Sequence, residues 1–213
     1  MKIIYSVLHQ TKAMSYHLDS NNLLTENGET IFGKESNFER NISEFIEKVG
    51  SIKTEQQYNY IIKNLVDISK KFSFPSTKSQ LYEKEIAEIE RKAPLTEKTA
   101  WGGVSLKKVD VDEDYIRKLL VIGKFGVLGF EIHKLKHEHL KIVEGLCLVL
   151  YSNHAENNWK SGEISIRIAS EGDKFEFLPG DEHGIIALTN SVIEEQSTNH
   201  LDDLTYIFVA SQV

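Results

Sequence analysis

The stretch Gly129-Phe130-Glu131-Ile132-His133-Lys134-Leu135-Lys136-His137-Glu138-His139-Leu140-Lys141-Ile142-Val143-Glu144-Gly145 places five metal-capable side chains, Glu131, His133, His137, Glu138 and His139, within nine residues. It reads as strand, turn, strand. Side chains two apart on a strand share a face, so Glu131 and His133 point to one side together. The four residues Lys134 to His137 form the turn, and Glu138 points back to that side from the returning strand. His137 and His139 flank Glu138 and are expected on the opposite face, in exposed or outer supporting roles.

Outward from this segment the pattern is β on both sides. From about Trp101 the runs KLLVI, VLGFEIH, LCLVLY, ISIRIA, FEFL, IIAL, VIEEQ and TYIFVA are short and rich in β-branched and aromatic residues, with Gly, Pro, Asn and Asp between them. Eight to ten strands at this spacing predict a closed barrel or jelly roll over residues 96–213. Residues 1–95 read as a helical region instead. Phe38, Ile42, Phe45, Ile46 and Val49 recur at helical spacing, as do Ile61, Ile62, Leu65, Val66 and Ile68. Ser36 with Glu39, and Thr54 with Gln57, have the spacing of capping boxes, and Pro75 ends the second helix. Residues 78–92 carry Leu81, Ile86 and Ile89 among many charges, the pattern of a largely exposed amphipathic helix or connector.

A second chemical segment, Phe177-Leu178-Pro179-Gly180-Asp181-Glu182-His183-Gly184, offers a tight turn at Pro179-Gly180 and then His183 from a distant strand. Imidazole and carboxylate donors together suit a divalent ion such as Zn, Mn, Fe, Co or Ni, without selecting one.

The composition narrows the partners. The 213 residues carry 32 acidic and 25 basic side chains, a net charge of -7, with the two signs interspersed. No basic stripe is present to meet a phosphate backbone, which speaks against nucleic acid. No apolar run approaches the roughly 18 residues of a membrane span, and the N-terminus MKIIYSVLHQ has too short an apolar stretch for a secretory signal. Cys147 is the only cysteine and sits in an apolar run, as a buried inert thiol would. A cytoplasmic protein without disulfides is the expectation.

Glu131, one residue, His133, four residues, Glu138, six residues and Gly145 together resemble the first cupin motif, with Glu at its usual first-histidine position. Gly172, Pro179, Gly180, His183 and Asn190 resemble the second motif, and the 26 residues 146–171 lie between the two. Within the cupins, the chain is similar to the barrel of type II phosphomannose (mannose-6-phosphate) isomerases. That family has Trp-Gly at the domain entrance, Gln-x-His-His-His-Arg-Ala-Glu-His-Trp and Val-x-Gly. Here Trp101-Gly102, Glu131 to Leu140 and Val143-Glu144-Gly145 fall in register with it. Ile193-Glu194-Glu195-Gln196-Ser197 and Leu201-Asp202-Asp203-Leu204 resemble its Glu-Val-Gln and Glu-Asp-Asp-Ile segments, so the likeness covers about residues 101–208.

The resemblance implies a mainly β cupin double-stranded β-helix, a jelly-roll barrel behind an α-helical N-terminal region. It implies His133, Glu138 and His183 as metal ligands, with Glu131 at the family's Gln ligand position. A homodimer and a small-molecule substrate, a sugar phosphate, are implied likewise. Two positions depart from the family: Lys136 stands for an Arg, and Tyr206 stands where an Arg serves the sugar-phosphate site. An aldose–ketose isomerase needs a base as well as an electrophile. The candidates are Glu131, if it does not ligate, and Glu194 or its neighbour Glu195, since one of these two must face inward. Lys136 and Arg167 are the cations that could meet a phosphate, or else they are solvated surface charges. The same ligands also suit an iron-dependent dioxygenase, and a non-catalytic sugar-binding or regulatory cupin is the third reading.

Overall fold

The structure is a computed structural model that describes residues 2–5, 17–19, 22–24, 37–49, 55–74, 80–110, 114–152, 163–200 and 202–208. Ser36, Thr54, Pro75, His9 and His154 lie outside these. The elements, in chain order, are strands β1 (Lys2–Tyr5), β2 (His17–Asp19) and β3 (Asn22–Leu24), then helices α1 (Asn37–Val49), α2 (Glu55–Lys70) and α3 (Gln80–Glu90). The strands that follow are β4 (Thr96–Thr99), β5 (Gly102–Asp110), β6 (Tyr115–Ile122), β7 (Val127–Ile132), β8 (Glu138–Glu144), β9 (Leu146–Ser152), β10 (Glu163–Ser170), β11 (Lys174–Phe177), β12 (Glu182–Ala187), β13 (Ser191–Thr198) and β14 (Thr205–Phe208).

One sheet has the order β1-β10-β9-β12-β7-β14 and the other β11-β8-β13-β6-β5-β4, while β2 and β3 form a separate hairpin. The quartets β10-β9-β12-β7 and β11-β8-β13-β6 are the two halves of an eight-strand jelly roll. The two-sheet barrel expected from the alternating runs is therefore present. Gly145, at φ 95°, turns the chain from β8 into β9, and so from one sheet to the other. A Cβ there would lie 2.6 Å from the Asn190 carbonyl oxygen, so only glycine fits.

The barrel interior is filled by Leu120, Ile122, Leu128, Leu140, Ile142, Cys147, Val149, Ala169, Phe175, Phe177, Ile185, Ala187 and Ile193. Apolar side chains line the outside too, because helices cover it. Phe38, Ile42 and Ile46 of α1 and Ile61, Ile62, Leu65 and Val66 of α2 share one core with Phe130, Leu148, Leu150, Ile166, Ile168 and Ile186 of the first sheet. A 13-residue helix is marginal alone in water, so burial of three large side chains, worth roughly 1.5–3 kcal/mol each, is what fixes α1.

α3 is the amphipathic helix expected there, exposed on one side and packed on the other. Tyr82 and Ile89 pack on Leu119, Val121 and Val192 of the second sheet. Glu85 is also buried, and its charge is met by Lys107 Nζ at 2.6 Å. The N-terminal amides of α3 are met by a strand residue: Leu81 and Tyr82 donate to the two carboxylate oxygens of Glu144, at 3.1 and 3.0 Å. The N-terminal region is not wholly helical, since β1 joins the barrel sheet parallel to β10. A four-residue strand is too short to carry a period by which to recognise it.

Candidate metal centre

Two cross-strand rows build the site. In the first sheet, Tyr206, Glu131, His183 and Tyr151 are successive register partners on β14, β7, β12 and β9. In the second, Phe177, Glu138 and Ser197 are register partners on β11, β8 and β13. Directly opposed residues share a face, and the packing of Tyr151 and Phe177 with the interior core identifies that face as the inner one. His133 enters from just beyond the end of β7.

Glu131, His133, Glu138 and His183 meet between these rows, each buried, with one donor atom apiece lying within 4.8 Å of the others. His183 Nε2 lies 3.3 Å from Glu131 Oε1 and 3.0 Å from Glu138 Oε2. His133 Nε2 lies 3.6 and 3.5 Å from the same two oxygens. The His133 ring is oriented from behind by the Asp203 carbonyl oxygen. A carbonyl can only accept, so Nδ1 donates to it and Nε2 is the ring atom turned to the cluster. His183 stacks on Phe177 with centroids 4.2 Å apart.

His133 Nε2 and Glu138 Oε2 are buried without a directed hydrogen bond. Buried polar atoms are rarely left so, and here both aim at one point. Two imidazoles and two carboxylates are a donor set for a divalent transition ion, and the residues fit one. Without an ion the cluster is held by charge. Burial pushes the Glu131 carboxyl up, but the two histidines outweigh it and hold it at about 2. Burial pushes His183 down, but Glu131 and Glu138 beside it raise it to about 10. Glu138 lies well below the usual carboxylate range, because His183, Lys136 and His133 together overcome its burial.

Lys136 is buried rather than solvated. Its ammonium donates to Glu138 Oε1 and lies 2.8 Å from Glu195 Oε1. Glu195 Oε1 also meets Lys118 Nζ at 3.0 Å and the Ser197 hydroxyl at 3.1 Å. Lys136 fixes one oxygen of Glu138 and leaves the other to the cluster. Glu194 stands apart from the cluster. It lies on the outer face of β13, where Arg117 and Gln196 donate to it, and the barrel wall separates it from the cluster. Its neighbour Glu195 is the one inside.

Arg167 is likewise no surface charge. It shares the inner face of β10 with Ala169, stands over the Phe175 ring at 5.3 Å and reaches Asp173 at 3.4 Å. The parts played by Lys118, Ser197 and Asp203 in supporting the cluster are not among the sequence-based expectations. The spacing of Ser197, two residues beyond Glu195 on one strand, is the signal that could have found it. Cys147 is buried, and its thiol is pushed up to about 12.

Two jelly-roll quartets closed around a buried His/Glu cluster define the architecture. It is a jelly-roll barrel. Among solved structures similar to this barrel is an RmlC-like cupin from Shewanella frigidimarina, at 14% identity and TM-score 0.42 over 52% of this chain and 88% of that one. An oxalate oxidase in complex with glycolate matches at 16% identity and TM-score 0.41, over 51% and 57% of the two chains. KdgF from Halomonas sp. matches at 19% and 0.37, over 46% and 81%. No family model and no curated protein sequence matches the chain. The fold assignment therefore rests on the strand order of the chain itself. No helix among the described residues is long and apolar enough to cross a membrane.

Proposed function

We propose that the chain is a metal-dependent cupin enzyme that interconverts an aldose and a ketose, with a sugar phosphate as substrate. The observation that carries the metal is the convergence of four buried donor atoms, one each from Glu131, His133, Glu138 and His183. Zn, Mn, Fe, Co or Ni would be held by His133, Glu138 and His183, with the Glu131 carboxylate beside them. When bound, such an ion polarises a substrate carbonyl and stabilises the charge that develops on an enediolate.

The protein residues supply the rest. Glu131 is the cluster carboxylate beside β14, the edge strand, and is the one Lys136 does not engage. It is ionised at neutral pH and is assigned the proton that moves between adjacent carbons. Tyr206, its register partner, is 46% exposed and occupies the place of the family's arginine, so it orients a hydroxyl rather than a phosphate. Arg167, on the inner face, is the cation assigned to the phosphate. Lys136, Glu195, Lys118 and Ser197 keep Glu138 oriented and touch no substrate.

A second reading, a dioxygenase, is favoured by one observation: His133, His183 and Glu138 alone form a set of two histidines and one carboxylate. Metal analysis of the purified chain with an isomerase screen on hexose phosphates tests the first reading. Oxygen uptake with the iron-loaded chain tests the second. A chain that carries no metal when isolated would overturn both.

A further inference from the structure

Glu138 faces into the barrel, so its neighbours His137 and His139 face out, and there they meet a third donor. His139 is the register partner of Glu176 on β11. His137 Nε2 lies 2.9 Å from Glu176 Oε1, and the two imidazole centroids are 4.6 Å apart. One donor atom from each of the three residues lies within 4.8 Å of the others. Two histidines spaced two apart, one just before β8 and one on it, with a carboxylate across the ladder from the second, present three convergent donors for one ion.

The backbone beneath them is fixed. β8 is bonded on both sides, to β11 and β13. The His137 amide donates to Thr198 Oγ1, and the His137 carbonyl accepts the Thr198 amide, both at 3.1 Å. Open grooves reach the donors from two sides. One of about 660 Å³ is lined by His139 and Glu176 with Lys141, Lys174, Glu194 and Gln196. Another of about 300 Å³ runs past His137 and His139 to Tyr115 and Thr198. An ion with its water shell can therefore reach both imidazoles, and positions not taken by the protein stay open to solvent.

We propose that His137, His139 and Glu176 form a second divalent-ion site on the outer face of the barrel wall, suited to zinc or copper(II). It lies back to back with the buried centre. Glu138 and Phe177 are register partners on the inner face, and the next pair along the same ladder, His139 and Glu176, faces out. An ion on the outside clamps β11, the edge strand of its sheet, to β8. It thereby steadies Phe177 against His183.

The test is zinc chloride titration of the full-length chain after chelator treatment, at neutral pH. Two equivalents are expected for the unaltered protein. His139→Ala, an exposed change, is expected to lose one equivalent with an unchanged circular dichroism spectrum. Glu176→Gln is expected to weaken that equivalent by roughly tenfold or more. His183→Ala is expected to remove the other equivalent, so failure of the buried centre and failure of the outer site are told apart. The proposal is overturned if His139→Ala and a His137→Ala/His139→Ala double variant keep the full count and affinity. It is equally overturned if the unaltered chain binds a single equivalent that His183→Ala abolishes.

Discussion

Asp203 secures His133 twice: its main-chain carbonyl accepts the ring Nδ1–H, and its carboxylate accepts the backbone amides of Lys134, Leu135 and Lys136. The second set of bonds holds the β7–β8 turn, and so sets where His133 and Glu138 meet. Asp203→Ala keeps the carbonyl and loses the carboxylate. A loss of about 1–2 kcal/mol of stability is expected, with a 10–100-fold fall in affinity of the buried centre for metal. Thermal unfolding and a competitive chelator titration measure the two effects, and unchanged affinity would contradict this role.

Lys136 is the cation between two buried carboxylates, so its removal leaves Glu138 Oε1 without its ammonium partner and Glu195 with Lys118 alone. Lys136→Met is expected to cost about 3–5 kcal/mol in urea unfolding, the usual cost of breaking a buried pair from one side. Lys136→Arg, which keeps the charge, is expected to recover most of it. Equal losses from the two variants would show that volume, rather than charge, matters at this position.

Metal uptake should release protons. In the metal-free chain His183 is raised to about 10, so at neutral pH it is an imidazolium paired with Glu131 and Glu138. Its folded value lies above the unfolded one, so this pairing stabilises the metal-free fold fully below pH 6.5 and is lost as pH rises through about 10. An ion requires the neutral ring. Binding below pH 10 is therefore expected to expel about one proton from His183, with affinity rising roughly tenfold per pH unit. Calorimetry in buffers of differing ionisation enthalpy reads the count, and binding without proton release would refute an imidazolium at His183.

Glu194 and Glu195 stand on opposite sides of the wall. Glu194→Gln is expected to leave the metal content of the buried centre unchanged. Glu195→Gln is expected to destabilise the fold, because Lys118 and Lys136 lose their shared acceptor. Elemental analysis and urea unfolding of the two variants separate the cases.

Strand parity and a turn suffice to bring Glu131, His133 and Glu138 together from sequence, because Phe130 and Ile132 alternate with the polar residues. The same parity does not decide between Glu194 and Glu195. Val192 and Ile193 are both apolar, since Ile193 fills the barrel while Val192 lies under α3. A strand covered on both faces carries no phase, and a register shift between these two residues adds to the ambiguity. The burial of α3 is illegible for a related reason. It is carried partly by Glu85, whose charge is matched by Lys107 at 22 residues' distance, and no local pattern reveals such a pairing. The buried position of Lys136 is hidden in the same way.

The Glu144 carboxylate that receives the first amides of α3 bears on how the molecule is made. During synthesis α3 emerges more than 60 residues before that carboxylate, and an 11-residue helix does not persist in water unaided. The segment must wait, uncommitted, until β8 has been added to the growing chain. A fragment ending near residue 95 would stay in that waiting state, because the group that starts its last helix belongs to the barrel.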